Sequence, residues 1–221
     1  MKKPIKIYGP PGTGKTFRLL RRVNAYVRTG TPYHYEALGK KLNVRVNFND
    51  KYNDEQTHFL TCNNPYFQMI QKSINKDIPL REEFDLNEHD RKDIESWDTL
   101  NHIYINLQEY KKKMHLLDFN DLIKKVINSG KIPKLKAIFI DEAQDLSPLQ
   151  WQLYDKLREN CDDMYLAGDD DQAIFAWAGA DVNRFIKEPA NERVLRYSRR
   201  VSRAVQEQSQ IAVDRIAGIR K

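Results

Sequence analysis

Residues 5–20 read IKIYGPPGTGKTFRLL, and the eight residues in the middle of that stretch allow few folds. Gly9, Gly12 and Gly14 give a turn backbone freedom that residues with a side chain lack, while Pro10 and Pro11 stiffen it. A short apolar run enters the turn at residues 5–8. An amphipathic run leaves it, with Leu19, Leu20, Val23, Tyr26 and Val27 on one face and Gly30 as the stop. Strand, glycine turn and helix in that order aim backbone N–H groups and a helix N-terminus into one concave loop suited to phosphate oxygens. From Gly9 through Thr13 to Thr16 the stretch satisfies G-x-x-x-x-G-K-[ST]: Lys15 reaches β and γ phosphates and the Thr16 hydroxyl is a ligand for Mg2+. ATP and Mg2+ are the cofactors this implies.

The alternation of strand and helix returns near residue 116. Residues 118–130 (DFNDLIKKVINSG) read as a helix and 136–141 as a strand, followed by a helix opened by Ser147 as cap and Pro148 at its first position. Residues 163–168 and 193–196 read as two more strands before a final helix. Such alternation predicts an α/β fold, a mostly parallel sheet with helices on both faces and ligands at the carboxyl ends of its strands. The middle of the chain differs. It is rich in Asn, Asp and Lys, then carries Ile94, Trp97, Leu100, Tyr104 and Leu107 at helical spacing. The expected division is a core of residues 1–30 and 116–221 with a mainly helical insert over 31–115.

Charge and composition narrow the function classes. No acid occurs before Glu36, while Lys2, Lys3, Lys6, Lys15, Arg18, Arg21, Arg22 and Arg28 do, and Arg193, Arg196, Arg199, Arg200 and Arg203 form a second basic cluster. Patches of this kind suit a polyphosphate, as nucleotide or nucleic acid, or simply a soluble basic surface. Cys62 and Cys161 show no metal-ligand spacing, so both are read as reduced thiols and no zinc is implied. The apolar runs are far shorter than a membrane span and the first residues lack a signal-peptide core, so no membrane partner is expected and the expected location is the cytoplasm.

Two acidic stretches carry further chemistry. The apolar run 137–140 ends in Asp141 and Glu142, the expected partners of a phosphate loop: Asp141 to hold Mg2+ through water, Glu142 to orient and activate the water that attacks the γ phosphate. Residues 167–181 (AGDDDQAIFAWAGAD) set three aspartates beside one another, an arrangement that costs repulsion and reads by itself as a solvated turn.

The stretches DEAQDLSPLQ (141–150), GDDDQAIFAWAGAD (168–181), LLDFNDLI (116–123) and LRYSRRVSRAV (195–205), together with the phosphate loop, resemble the UvrD/Rep-type DNA helicases of superfamily 1, particularly their short bacteriophage relatives. The resemblance implies a RecA-like P-loop NTPase domain that couples ATP hydrolysis to movement along single-stranded DNA and unwinding of partly duplex DNA. It implies that Gln172 senses the γ phosphate, that Phe175 and Trp177 offer aromatic faces to unstacked bases, and that Arg200 contacts the γ phosphate. Arg199 stands where the family places an aromatic that stacks on adenine.

The resemblance also implies a second RecA-like motor domain, in cis or in trans, because the recognisable motifs stop at Arg200 with about twenty residues to follow. The family's glutamine motif has too few residues before the loop to carry it. HFLTCNNP (58–65) and TLNH (99–102) match its threonine-bearing DNA contacts poorly, as though a piece and one strand of the core sheet were lost near TGTPYHYEALG (29–39). Two other readings stay open: an AAA+ type oligomeric ATPase, which shares GPPGTGKT but lacks the glutamine of DEAQD and the GDDDQ turn, and a nucleotide-responsive DNA-binding fragment without efficient turnover.

Overall fold

A computed structural model of the chain describes residues 3–28, 64–87, 90–173 and 179–219. Four strands form one parallel sheet in the order β2–β3–β1–β4: β1 is Ile5–Tyr8, β2 Leu135–Ile140, β3 Cys161–Gly168 and β4 Asn191–Val194. Parallel neighbours require crossovers. The crossover from β2 to its neighbour β3 is made by α6 (Pro148–Glu159), the connection from β3 past β1 to β4 contains α7 (Val182–Lys187), and α1 (Lys15–Arg28) leaves β1. β3 therefore lies between the strand that carries the phosphate loop and the strand that carries Asp141. The core strand expected to be lost after α1 falls on residues 29–39, outside the described residues.

Side chains alternate across the sheet with the period of two that strands impose. Met164 and Leu166 of β3 join Ile140, Leu146, Trp151, Tyr154 and Phe185 on one face. Tyr165 and Ala167 join Ile7, Phe139, Leu19, Val23 and Leu195 on the other, where the Phe139 and Tyr165 rings stack 4.9 Å apart. Leu20, expected on the buried face of α1, is 42% exposed. It sits a quarter-turn round from the Leu19–Val23–Tyr26 stripe that packs on the sheet.

Lys6 is a second correction. Counted above with the basic surface, it is fully buried: its Nζ donates to the Phe185, Ile186 and Glu188 carbonyls at 3.0, 3.2 and 3.0 Å and pairs with Glu192 at 3.2 Å. A buried ammonium is tolerated only when its donors are satisfied, and here they cap the carboxyl end of α7, where the macrodipole favours a cation. Phe185 is thereby fixed beneath Gly168.

The other α-helices among the described residues are α2 (Pro65–Lys76), α3 (Leu80–Leu86), α4 (Trp97–Lys113), α5 (Phe119–Ser129) and α8 (Arg203–Ile219). Met69, Ile70, Leu80, Ile94 and Leu100 make a core cluster separate from the two sheet faces. Ile94 packs there from the turn before α4, because Ser96 caps the helix by accepting from the Thr99 N–H at 3.1 Å. α5 starts with a capping box between Asp118 and Asp121 and ends at Gly130 in the left-handed region; Ser147 and Gln150 form the capping box of α6. The last strand is shifted: residues 191–194 pair with β1, whereas 193–196 were expected. No helix among the described residues is long and apolar enough to cross a membrane.

Candidate nucleotide-binding site

The carboxyl ends of β1, β2 and β3 bring three loops together. In the first, Gly9, Gly12 and Gly14 have φ of 154°, 76° and 87°, all disfavoured for residues bearing a Cβ. Pro10 closes the turn, its carbonyl accepting from the Thr13 N–H at 3.3 Å and the Thr13 hydroxyl at 3.0 Å. α1 begins at Lys15, so its free N–H groups open onto the loop. Lys15 is nearly buried; its Nζ donates to the Gly9 carbonyl and lies 3.9 Å from Asp169 Oδ2, an ion-pair distance longer than a hydrogen bond.

In the second loop Asp141 is buried and accepts from the Thr16 hydroxyl at 2.6 Å. Two hard oxygen donors thus meet at the start of α1, a set that fits Mg2+ held partly through water. Glu142 adopts a left-handed backbone, φ 54° and ψ 43°, which turns it out of the strand direction. That conformation costs a residue with a Cβ about 1–2 kcal/mol, and two contacts support it: the Glu142 N–H donates to Asp141 Oδ1 at 3.2 Å, and Gln144 Nε2 donates to Glu142 Oε2 at 3.2 Å. Asp145, at the end of the same turn, has Oδ1 buried with no hydrogen-bond partner among the described residues. Burial first, then the nearby Glu142 charge, pushes its carboxyl up to about 6.

The third loop follows Gly168. Asp169 is 5% exposed, its carboxylate accepts from Gln172 Nε2, and its N–H donates to Gln144 Oε1 at 3.0 Å. Burial raises its carboxyl above the ordinary range against the pull of Gln172 and Lys15. Gln144 therefore spans the second and third loops, and neither it nor Asp169 is among the site residues expected from the sequence. The signal was present in DEAQD and GDDDQ, yet the pairing depends on β2 and β3 being neighbours.

A fourth segment, residues 195–200, closes over the phosphate loop. Leu195 N–H donates to the Tyr8 carbonyl at 2.8 Å, Ser198 Oγ to the Pro11 carbonyl at 2.7 Å and Arg199 N–H to the Gly12 carbonyl at 2.7 Å. The approach is close: a Cβ on Gly12 would lie 2.3 Å from Arg200 Cβ and 2.6 Å from Ser198 Oγ. Ser198 was not singled out from the sequence. The segment holds Arg199 and Arg200 beside the loop by backbone contacts while both residues stay exposed, as does Tyr197. Phe175 and Trp177 lie outside the described residues, as does HFLTC of the first DNA-contact candidate. In the second, TLNH, Leu100 is a buried core residue of α4 and His102 is exposed.

Residues 34–191 match the model of the UvrD/REP helicase N-terminal domain. The phosphate loop and residues 195–200 flank that match, so their placement rests on the geometry above. A stretch of 123 residues, 48% of the chain, is 32% identical to ATP-dependent DNA helicase PcrA of Bacillus subtilis. A stretch of 85 residues, 34% of the chain, is 34% identical to ATP-dependent DNA helicase Rep of Buchnera aphidicola subsp. Baizongia pistaciae. The chain spans only 17% and 13% of the lengths of those two relatives. The match over residues 34–191 places the chain in the UvrD/REP helicase N-terminal domain family.

Proposed function

We propose that the chain is the ATP-binding motor domain of a DNA helicase, which in its full-length context couples Mg-ATP hydrolysis to translocation on single-stranded DNA and to duplex unwinding in the cytoplasm. The observation that carries this reading is the convergence of Lys15, Thr16, Asp141, Glu142 and Gln172 at three adjacent strand ends. The loop from Gly9 to Thr16 cradles the phosphates, Lys15 supplies a mobile positive charge to the β and γ oxygens, and Thr16 with Asp141 holds Mg2+. Mg2+, when bound, offsets charge on the phosphate oxygens during transfer.

Glu142 orients the attacking water and accepts its proton, and Gln144 keeps the Glu142 carboxylate aimed. Gln172 and Arg200 sense the γ phosphate, and Arg199 lies against the base through its planar guanidinium. Residues 1–30 and 116–221 form the motor core, and residues 31–115 the insert. A second RecA-like domain supplies an arginine finger, a device that contributes about 10³ to 10⁵ in rate in other nucleotide hydrolases.

Phe175 and Trp177 follow the γ-phosphate sensor within five residues and are the proposed stacking platform for unpaired bases. Base stacking on an aromatic ring contributes roughly 1 to 3 kcal/mol and tolerates any sequence. Trp177→Ala is therefore expected to weaken single-stranded DNA binding by roughly that amount with an unchanged thermal melt, read by fluorescence anisotropy. A large drop in melting temperature with unaltered DNA affinity would return Trp177 to the core. DNA binding that answers to nucleotide with no turnover, in the presence of the second motor domain, would favour a nucleotide-responsive binding module instead.

A further inference from the structure

Two side chains assigned above to the terminal phosphates already share one anionic partner within the chain. Asp169 accepts from Gln172 Nε2 and faces Lys15 Nζ at 3.9 Å. Its backbone has little room to yield. The Asp169 N–H is held by Gln144, and at the preceding Gly168 even an added Cβ would meet Phe185 Cζ at 2.6 Å and Gln144 Oε1 at 2.7 Å. Rotation of the Asp169 side chain about its own bonds is the change that leaves these contacts in place.

Carboxylate and phosphoryl oxygens seek the same donors, an ammonium and an amide N–H. We infer that Asp169 is a specificity-determining residue for the nucleotide: its carboxylate competes with the γ phosphate for Lys15 and Gln172 and is displaced when a triphosphate binds. The inference rests on the phosphate-loop reading. Burial disfavours the Asp169 charge, which Gln172, Lys15 and the Asp171 backbone N–H support, so the carboxylate turns away from the first two only when a stronger anion takes them. A diphosphate carries no group for Gln172 to reach and leaves the Asp169–Gln172 bond in place. Competition therefore falls on ATP more than on ADP, which lowers triphosphate affinity and links arrival of the γ phosphate to a movement beside Gln144 and Glu142.

The test is a calorimetric titration of the wild type, Asp169→Asn, Asp169→Ser and Lys15→Ala with a non-hydrolysable Mg-ATP analogue and with Mg-ADP, each protein checked by thermal melt. Removing the charge is expected to tighten the triphosphate by about 3- to 10-fold, the size of a partly screened ion pair, and to change the diphosphate by less than about two-fold. A gain of affinity is an outcome that structural damage does not produce. Triphosphate affinity unchanged or weaker in either folded Asp169 variant would overturn the proposal, and so would loss of folding in both, which would make Asp169 a structural residue. If binding is lost in Lys15→Ala but neither Asp169 variant gains, the Asp169 proposal alone fails. If Lys15→Ala binds like the wild type, the phosphate-loop reading fails with it.

Discussion

The Thr16 hydroxyl at the start of α1 donates a 2.6 Å hydrogen bond to the Asp141 carboxylate at the end of β2, and β3 lies between the two parent strands. The order β2–β3–β1 sets the two strand ends one strand apart on the same edge, within reach of this contact. Asp141→Ala removes one of the two oxygen donors proposed for Mg2+ and leaves the phosphate-loop residues unchanged. It is expected to raise the Mg2+ concentration needed for nucleotide binding by roughly 10- to 100-fold. A Mg2+ titration at fixed ATP analogue checks this, and an unchanged Mg2+ midpoint would remove Asp141 from the metal site.

Gly12 has a positive φ of 76° and touches the segment that carries Arg199 and Arg200. Gly12→Ala meets both a disfavoured backbone and a steric clash, and is expected to cost about 2–4 kcal/mol and to weaken nucleotide binding as residues 198–200 move off the loop. Gly130→Ala is the control. Gly130 has φ of 63° with nothing within 4 Å of an added Cβ, so only the backbone penalty of about 1–2 kcal/mol applies. Equal melting temperatures for the two variants would argue against the close packing over Gly12.

Asp145 supplies a pH signature. Its folded carboxyl is raised to about 6, above the ordinary value of 3.8, so the folded state binds the proton more tightly than the unfolded state. Stability from this group is thus present at low pH and is lost as pH rises through about 4 to 6. Asp145→Asn removes the buried charge. At pH 8 it is expected to stabilise the protein by about 1 kcal/mol, after allowance for solvent screening, with the gain disappearing near pH 4. Paired thermal melts at the two pH values check this, and a gain of the same size at both would point to a cause other than titration.

Much of this architecture was legible in the sequence because it is local. The phosphate loop, the Ser147 cap, the Asp118 start of α5 and the apolar strand before Asp141 depend on neighbours in the chain, and each lies where its residues direct. What the sequence left dark depends on partners far along the chain. Lys6 reads as a surface charge until α7 arrives with three carbonyls to receive it. Gln144, Asp169 and Ser198 read as loop polar residues until β2, β3 and residues 195–200 converge on the phosphate loop. The loop itself does not distinguish an AAA+ type ATPase from a helicase; the match over residues 34–191 does, and it lies wholly beyond the loop.

The central claim is that Glu142 activates water at a Mg-ATP site, and steady-state ATP hydrolysis by the wild type and Glu142→Gln, measured side by side with nucleotide binding, tests it most directly. The amide keeps the size of the side chain but cannot accept a proton. The account predicts unchanged Mg-ATP affinity and turnover lower by about 10² to 10⁴, the usual cost of removing a general base. Turnover equal to the wild type, or binding and turnover lost together, would contradict it.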